Sequence, residues 1–231
     1  MCGIVGLHLK NPELYPRLGE LLASMLDCMT SRGPDSAGLA LYGDDADHQP
    51  RMEIFKDVGL PREICERYGV AKRSGYQGIG HTRMATESAV TTEHSHPFAP
   101  AENMALVHNG SFSNHASVRR RLESDGIRFV TDNDSEVAAR YIAHQVGHGA
   151  DLGDALRMVL KEMDGFFTLL VTTATQFAVM RDSFACKPAV IAETTDYVAM
   201  ASEYHALASL PGIGSATVFE PAPEEVYTWT R

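Results

Sequence analysis

Apolar residues along the chain fall into short runs with two distinct spacings. Runs of four to eight, bounded by Gly, Pro, Asn and Asp, predict strands near 2–9, 37–42, 51–58, 76–82 and 104–109. A second group follows near 166–173, 176–181, 188–193, 197–202 and 225–230. Helical spacing takes over between them. Leu14, Leu18, Leu21, Leu22, Met25, Leu26 and Met29 form one stripe, which predicts a helix from about Pro12 to Met29 with Gly33 closing it. A second helix is expected from Asn114 to Gly126. A third opens at DNDSEVAARYIAHQV, where acids precede Val137, Tyr141 and Ile142, and a fourth covers 151–163. Neither a repeat nor a long linker divides the chain. Strands in two runs, with helices clustered between them, suit an α+β domain of antiparallel sheets with helices packed outside.

Composition removes several function classes. The apolar share of 44% and the charged share of 22% are those of an ordinary globular protein. A net charge of -10 argues against a nucleic-acid surface, which needs clustered cations. The one basic cluster, Arg119 to Arg121, sits on a predicted helix and reads as a solvated face. No window is apolar for long enough to predict a membrane span, and no signal peptide pattern precedes the first strand. Cys2, Cys28, Cys65 and Cys186 lack CxxC pairing, so neither a disulfide framework nor a zinc site is expected. That cysteine usage suits a cytoplasmic protein.

Chemistry enters with the opening residues MCGIVG. Removal of Met1 is expected when the next side chain is small, and it would leave an α-amine beside the Cys2 thiol. An α-amine titrates at roughly 7.7–8.0, so one residue could hold both nucleophile and base. Four further stretches carry polar groups at element ends: SRGPDSAGLALYG, GHTRMATES, LVHNGSFSNH and TDNDSEVAARYIAHQV. Each has a bland reading of its own. Asn-Gly is usually a turn, Asp before a helix a cap, and Arg a surface ion pair.

Taken together and in this order, the five stretches resemble the class II glutamine amidotransferases over essentially the whole chain, residues 2–231 as one domain. MRDSFACKPAVI and YVAMASEYHAL, later on, resemble that family's second group of strands. The resemblance implies an N-terminal-nucleophile hydrolase fold: a four-layer αββα sandwich of two antiparallel sheets, with Cys2 at the end of a central strand. It also implies roles. Cys2 would attack the side-chain amide of L-glutamine, giving a γ-glutamyl thioester and ammonia. The Asn109 side-chain amide and the Gly110 N–H would form the oxyanion hole. Arg83 would grip the substrate's α-carboxylate, a task suited to its planar fork. Asp134 would anchor the α-ammonium group, with Asp132 its rival, and Thr86 would lie near the substrate.

Met84 and Glu87 stand where the sugar-phosphate branch of the family shows a tryptophan and a histidine, which points away from that branch. His94, His96, His108 and His115 form no recognised ligand pattern, and the resemblance implies neither metal nor cofactor for glutamine hydrolysis. With no synthase domain in the sequence, ammonia would pass to an acceptor on a separate subunit or on a missing C-terminal portion. Overall resemblance is to the free-standing amidotransferase subunits of glutamate-synthase-like and N-methylglutamate synthase complexes, which implies a flavin-containing partner. Two other classes compete: a catalytically silent glutamine-binding or assembly module, and an N-terminal-nucleophile hydrolase for another amide. The full set of glutamine-binding residues argues against both.

Overall fold

Leu18, Leu21, Leu22, Met25 and Leu26 are almost wholly buried, so the helical stripe read from the sequence is a packed face. The computed structural model describes residues 2–85 and 89–231. The stripe does not form one helix. Pro12–Arg17 is a 3-10 stretch, helix α1 spans Leu18–Asp27, and a further 3-10 turn covers Thr30–Arg32. Pro16 has no amide hydrogen to give to a carbonyl four residues back, so regular α geometry starts beyond it.

Among the described residues, twelve strands pair into two sheets. The first runs β11 (Thr217–Phe219), β9 (Val190–Glu193), β10 (Tyr197–Ala201), β1 (Gly3–Leu9), β4 (Gln77–Arg83), β2 (Ser36–Asp44), β3 (Pro50–Val58). The second runs β12 (Val226–Thr230), β8 (Gln176–Arg181), β7 (Gly165–Thr172), β6 (Met104–Phe112), β5 (Phe98–Ala101). Every pairing is antiparallel. Ten of these strands answer to sequence expectations within a few residues, while β5 and β11 were not anticipated. The two runs of strands do not map onto the two sheets: β9 and β10, late in the chain, join β1 in the first.

The core has three layers of apolar contact. Ile4, Ala40 and Ile79 of the first sheet meet Val107, Leu170 and Phe177 of the second. The outer face of the first sheet, through Val5, Leu7 and Leu39, packs on α1 and on α2 (Pro61–Arg67), a helix absent from the sequence reading. The second sheet's outer face packs on α3 (His115–Ser124), α4 (Asp134–Gly147) and α5 (Leu152–Glu162). Helix, sheet, sheet, helix is the αββα sandwich. Because helices cover both outer faces, β1, β4 and β10 are buried along their whole length. β1 and β10 therefore read as apolar runs rather than apolar–polar alternation, whereas β4, QGIGHTR, buries Gln77, His81, Thr82 and Arg83. Truncating a fully buried Leu such as Leu22 to Ala would cost about 2–5 kcal/mol.

Among the described residues no helix is long and apolar enough to cross a membrane.

Candidate active site

Cys2 immediately precedes β1, fourth of the seven strands in its sheet. Gly3 faces Thr82 on β4, so the chain entering β1 lies beside Arg83 at the end of that strand. The SRGPDS stretch wraps the same corner. A side chain at Gly33 would come within 2.6 Å of the Thr82 and Arg83 backbones. Arg32, just before it, is buried and donates from Nε to the Cys2 carbonyl at 3.0 Å. Its Nη1 donates to Glu203 at 2.6 Å. Arg83 is buried too and donates from Nη1 to the carbonyl of Ala89 at 2.9 Å. Asp35 accepts from the Ala85 amide at 2.8 Å, fixing the chain just beyond Arg83.

The second sheet delivers the next groups. Asn109 on β6 reaches across the sandwich, and its Nδ2 donates to the Cys2 carbonyl at 3.1 Å. That nitrogen carries two hydrogens, so one holds Cys2 and one remains for a ligand. Gly110 follows with φ of 153°, a conformation side chains avoid. A Cβ there would stand 2.0 Å from the Phe166 carbonyl, so only glycine lets β6 run this close to β7.

Helix α4 supplies the acid. Its N-cap is Asn133, whose side chain accepts from the Ser135 amide at 2.8 Å, so capping falls to an amide rather than to the acids. Asp134 is the first helical residue and turns back to β6, where Oδ2 accepts from the Phe112 amide at 2.9 Å. Asp132 lies outside the helix, its side chain 82% exposed, and is hydrogen-bonded to His94 Nε2 at 2.8 Å. Geometry thus brings Asp134, not Asp132, to the strand that bears Asn109 and Gly110. Thr86 and Glu87 lie outside the described residues, as does Met1.

Three histidines cluster around β4 and β6, and His108, next to Asn109, points to the opposite face of its strand, under the first turn of α4. His81 and His96 stack at 4.0 Å between centroids, and His108 stacks on Phe112 at 4.6 Å. His81 donates from Nε2 to the His108 carbonyl at 3.0 Å, tying the strand of Arg83 to that of Asn109. Burial pushes the His81 pKa down to about 3 and holds those of His96 and His108 below the ordinary imidazole value. Among the described residues, no three His, Cys, Asp or Glu side chains are grouped so as to hold a metal ion.

A family model described as a glutamine amidotransferase domain matches residues 81–209, more than half of the chain. A glutamine amidotransferase-like protein, GlxB of Rhizobium meliloti, is 43% identical over 99% of this chain and 98% of its own length. The chain belongs to the class II glutamine amidotransferase family. This amidotransferase is also 35% identical to the glutamine–fructose-6-phosphate aminotransferase of Mycolicibacterium paratuberculosis, over 75% of the chain and 28% of that protein. The glutamine phosphoribosylpyrophosphate amidotransferase of B. subtilis, solved with ADP and GMP, superposes with a TM-score of 0.74 at 26% identity. That match takes in 99% of the amidotransferase chain and 49% of the larger enzyme. The two-sheet architecture with helices outside is that of the N-terminal-nucleophile class II enzymes.

Arg32, His108, Ser135 and Glu203 lie in the motif-bearing stretches but join the site only through the fold. Arg32 carried a local signal, a cation inside a Gly-Pro turn that leads into a buried strand. For Glu203 and Ser135 nothing local marks the partner.

Proposed function

We propose that the protein hydrolyses the side-chain amide of L-glutamine through a thioester on Cys2 and releases ammonia to an acceptor on a partner subunit. After loss of Met1, the free α-amine of Cys2 takes the thiol proton as Sγ attacks the amide carbon. The C=O electron pair moves to oxygen, where Asn109 Nδ2 and the Gly110 N–H stabilise the oxyanion. Collapse expels ammonia, which carries away the proton from the amine. Water then cleaves the thioester to glutamate and restores the thiol. Arg83 holds the α-carboxylate, Asp134 the α-ammonium, and Thr86 lies beside them.

The observation that carries this reading is the double grip on the Cys2 carbonyl by Asn109 and Arg32. It holds the nucleophile-bearing residue beside the candidate oxyanion donors and leaves one Asn109 hydrogen unspent. In the acceptor half, we propose a flavin-containing synthase subunit of the glutamate synthase or N-methylglutamate synthase kind. The likeness to GlxB supports the amidotransferase half of this reading, and the acceptor half rests on the overall resemblance of the sequence.

Turnover is the test. Cys2→Ala should abolish glutamate release from glutamine while leaving the melting temperature unchanged, and mass spectrometry of active protein should show a chain starting at Cys2. Hydrolysis by the Cys2→Ala protein would overturn the nucleophile. Addition of the co-purified synthase should raise the rate of hydrolysis, since closure around the substrate orders the site. Equal rates with and without it would remove the partner.

A further inference from the structure

Asp134 does not stand alone against the ligand, and the groups behind it are buried, aligned and unused by the chemistry above. We infer that His108 and Ser135 form a relay that aims the Asp134 carboxylate at the substrate's α-ammonium group, and so set the selection for an amide with a free amino end. The inference rests on the reading of Asp134 as the ammonium anchor.

His108 lies on β6 immediately before Asn109, with its side chain almost wholly buried. Its Nδ1 is 2.7 Å from Ser135 Oγ. Ser135 Oγ is 3.3 Å from Asp134 Oδ1, and His108 Nδ1 stands 3.9 Å from the same oxygen. The protons can be assigned. A carboxylate only accepts, so the one Ser135 proton goes to Asp134, and His108 must present Nδ1–H to the serine oxygen. The other carboxylate oxygen is held by the Phe112 amide. Two of roughly four acceptor positions on Asp134 are then taken, and the remainder are left for an ammonium.

The ring that feeds this relay stacks on Phe112 and is hydrogen-bonded to Ser135, while the backbone that carries it is held at its carbonyl by His81. Its Nε2 lies so close to Gly110 that a Cβ there would stand 2.9 Å from it. One imidazole therefore touches both the oxyanion strand and the ammonium anchor. Its neutrality matters as well. Burial is the main cause that keeps it uncharged, with Lys187 adding to that and Asp134 opposing it. An imidazolium here would pair with Asp134 and compete with the incoming ammonium. Neutral, it orients the carboxylate without cancelling its charge.

The experiment measures binding, so that it stands apart from turnover. In a Cys2→Ala background, calorimetry compares L-glutamine with 4-carbamoylbutanoate, the same skeleton without the amino group. Ser135→Ala and His108→Leu should each weaken glutamine by about five- to tenfold while leaving 4-carbamoylbutanoate within about twofold. Ser135→Thr keeps the hydroxyl, and His108→Asn keeps an N–H near the Nδ1 position; both should restore most of the preference. A lower melting temperature with the glutamine preference unchanged would mean a merely structural role and overturn the inference. Equal weakening of both ligands would overturn it too. Loss of the proposed hydrolysis would instead show as absent turnover in the Cys2-bearing protein, whatever the calorimetry gives.

Discussion

Lowering the pH should unfold this protein earlier than its carboxylates alone would require, because three buried imidazoles are held neutral by the fold. His81, His96 and His108 are all buried, and burial is the largest cause of depression in each. In the unfolded chain each would titrate near 6.5. Below that pH the unfolded state binds protons that the fold refuses, so stability falls as pH drops from 6.5 towards the folded value, about 3 for His81. A histidine that stays neutral in the fold costs about 2 kcal/mol by pH 5 relative to pH 8. His81 and His96 together would remove a large share of the 5–15 kcal/mol that an ordinary domain possesses, and His108 acts in the same direction. His96 is the cleanest probe, since neither of its ring nitrogens has a hydrogen-bond partner among the described residues. His96→Phe keeps an aromatic ring against His81 and Phe98 and removes one proton from the balance. Urea unfolding at half-unit steps from pH 7.5 to 5 gives the slopes. Between pH 6 and 5 the variant should lose roughly 1.2 kcal/mol less per pH unit than the parent. Parallel curves for the two proteins would refute the reasoning.

Asn109→Ala should lower kcat for glutamine by about 10²–10³, and Arg83→Lys should chiefly raise KM; steady-state kinetics separates the two. A glutamine-like electrophile such as 6-diazo-5-oxo-norleucine should label Cys2 alone. Iodoacetamide at pH 7.5 should reach exposed Cys186 long before Cys65, whose thiol is pushed up to about 12 by burial, as peptide mapping would show. Gly110→Ala should destabilise the protein by about 2–4 kcal/mol in urea melts and remove activity, because its Cβ meets the Phe166 carbonyl at a φ that alanine avoids.

Strands were legible wherever an apolar run is buried on both faces, as in GIVGLHL and QFAVMR. β5 escaped because FAPA carries a proline and pairs with β6 only through Phe98 and Ala101, with an irregularity between them. Helix α2 escaped because its seven residues bury only Pro61, Ile64 and Cys65, too short a stripe to show a period. Site residues were a different matter. Asn109, Arg83 and Asp134 each had an ordinary local explanation, and family resemblance gave them roles. What separates Asp134 from Asp132 is the helix boundary: with Asn133 as the cap, one acid points inward and the other out. The grip of Arg32 on Cys2 and the contact of His108 with Ser135 join residues about thirty positions apart, which no spacing rule anticipates.

β1 has consequences for how the molecule comes together. Its neighbours are β4 and β10, and Val5 faces Ala201 across nearly the length of the chain. Hairpins such as β2–β3 and β7–β8 close short loops and can form early, whereas β1 must await both distant strands. During refolding, Trp229, the sole tryptophan, reports on β12 against β8 and, through its donation to Glu193, on β9 of the other sheet, contacts that do not themselves involve β1. Competence to bind glutamine should therefore return as the last kinetic phase, lagging the fluorescence.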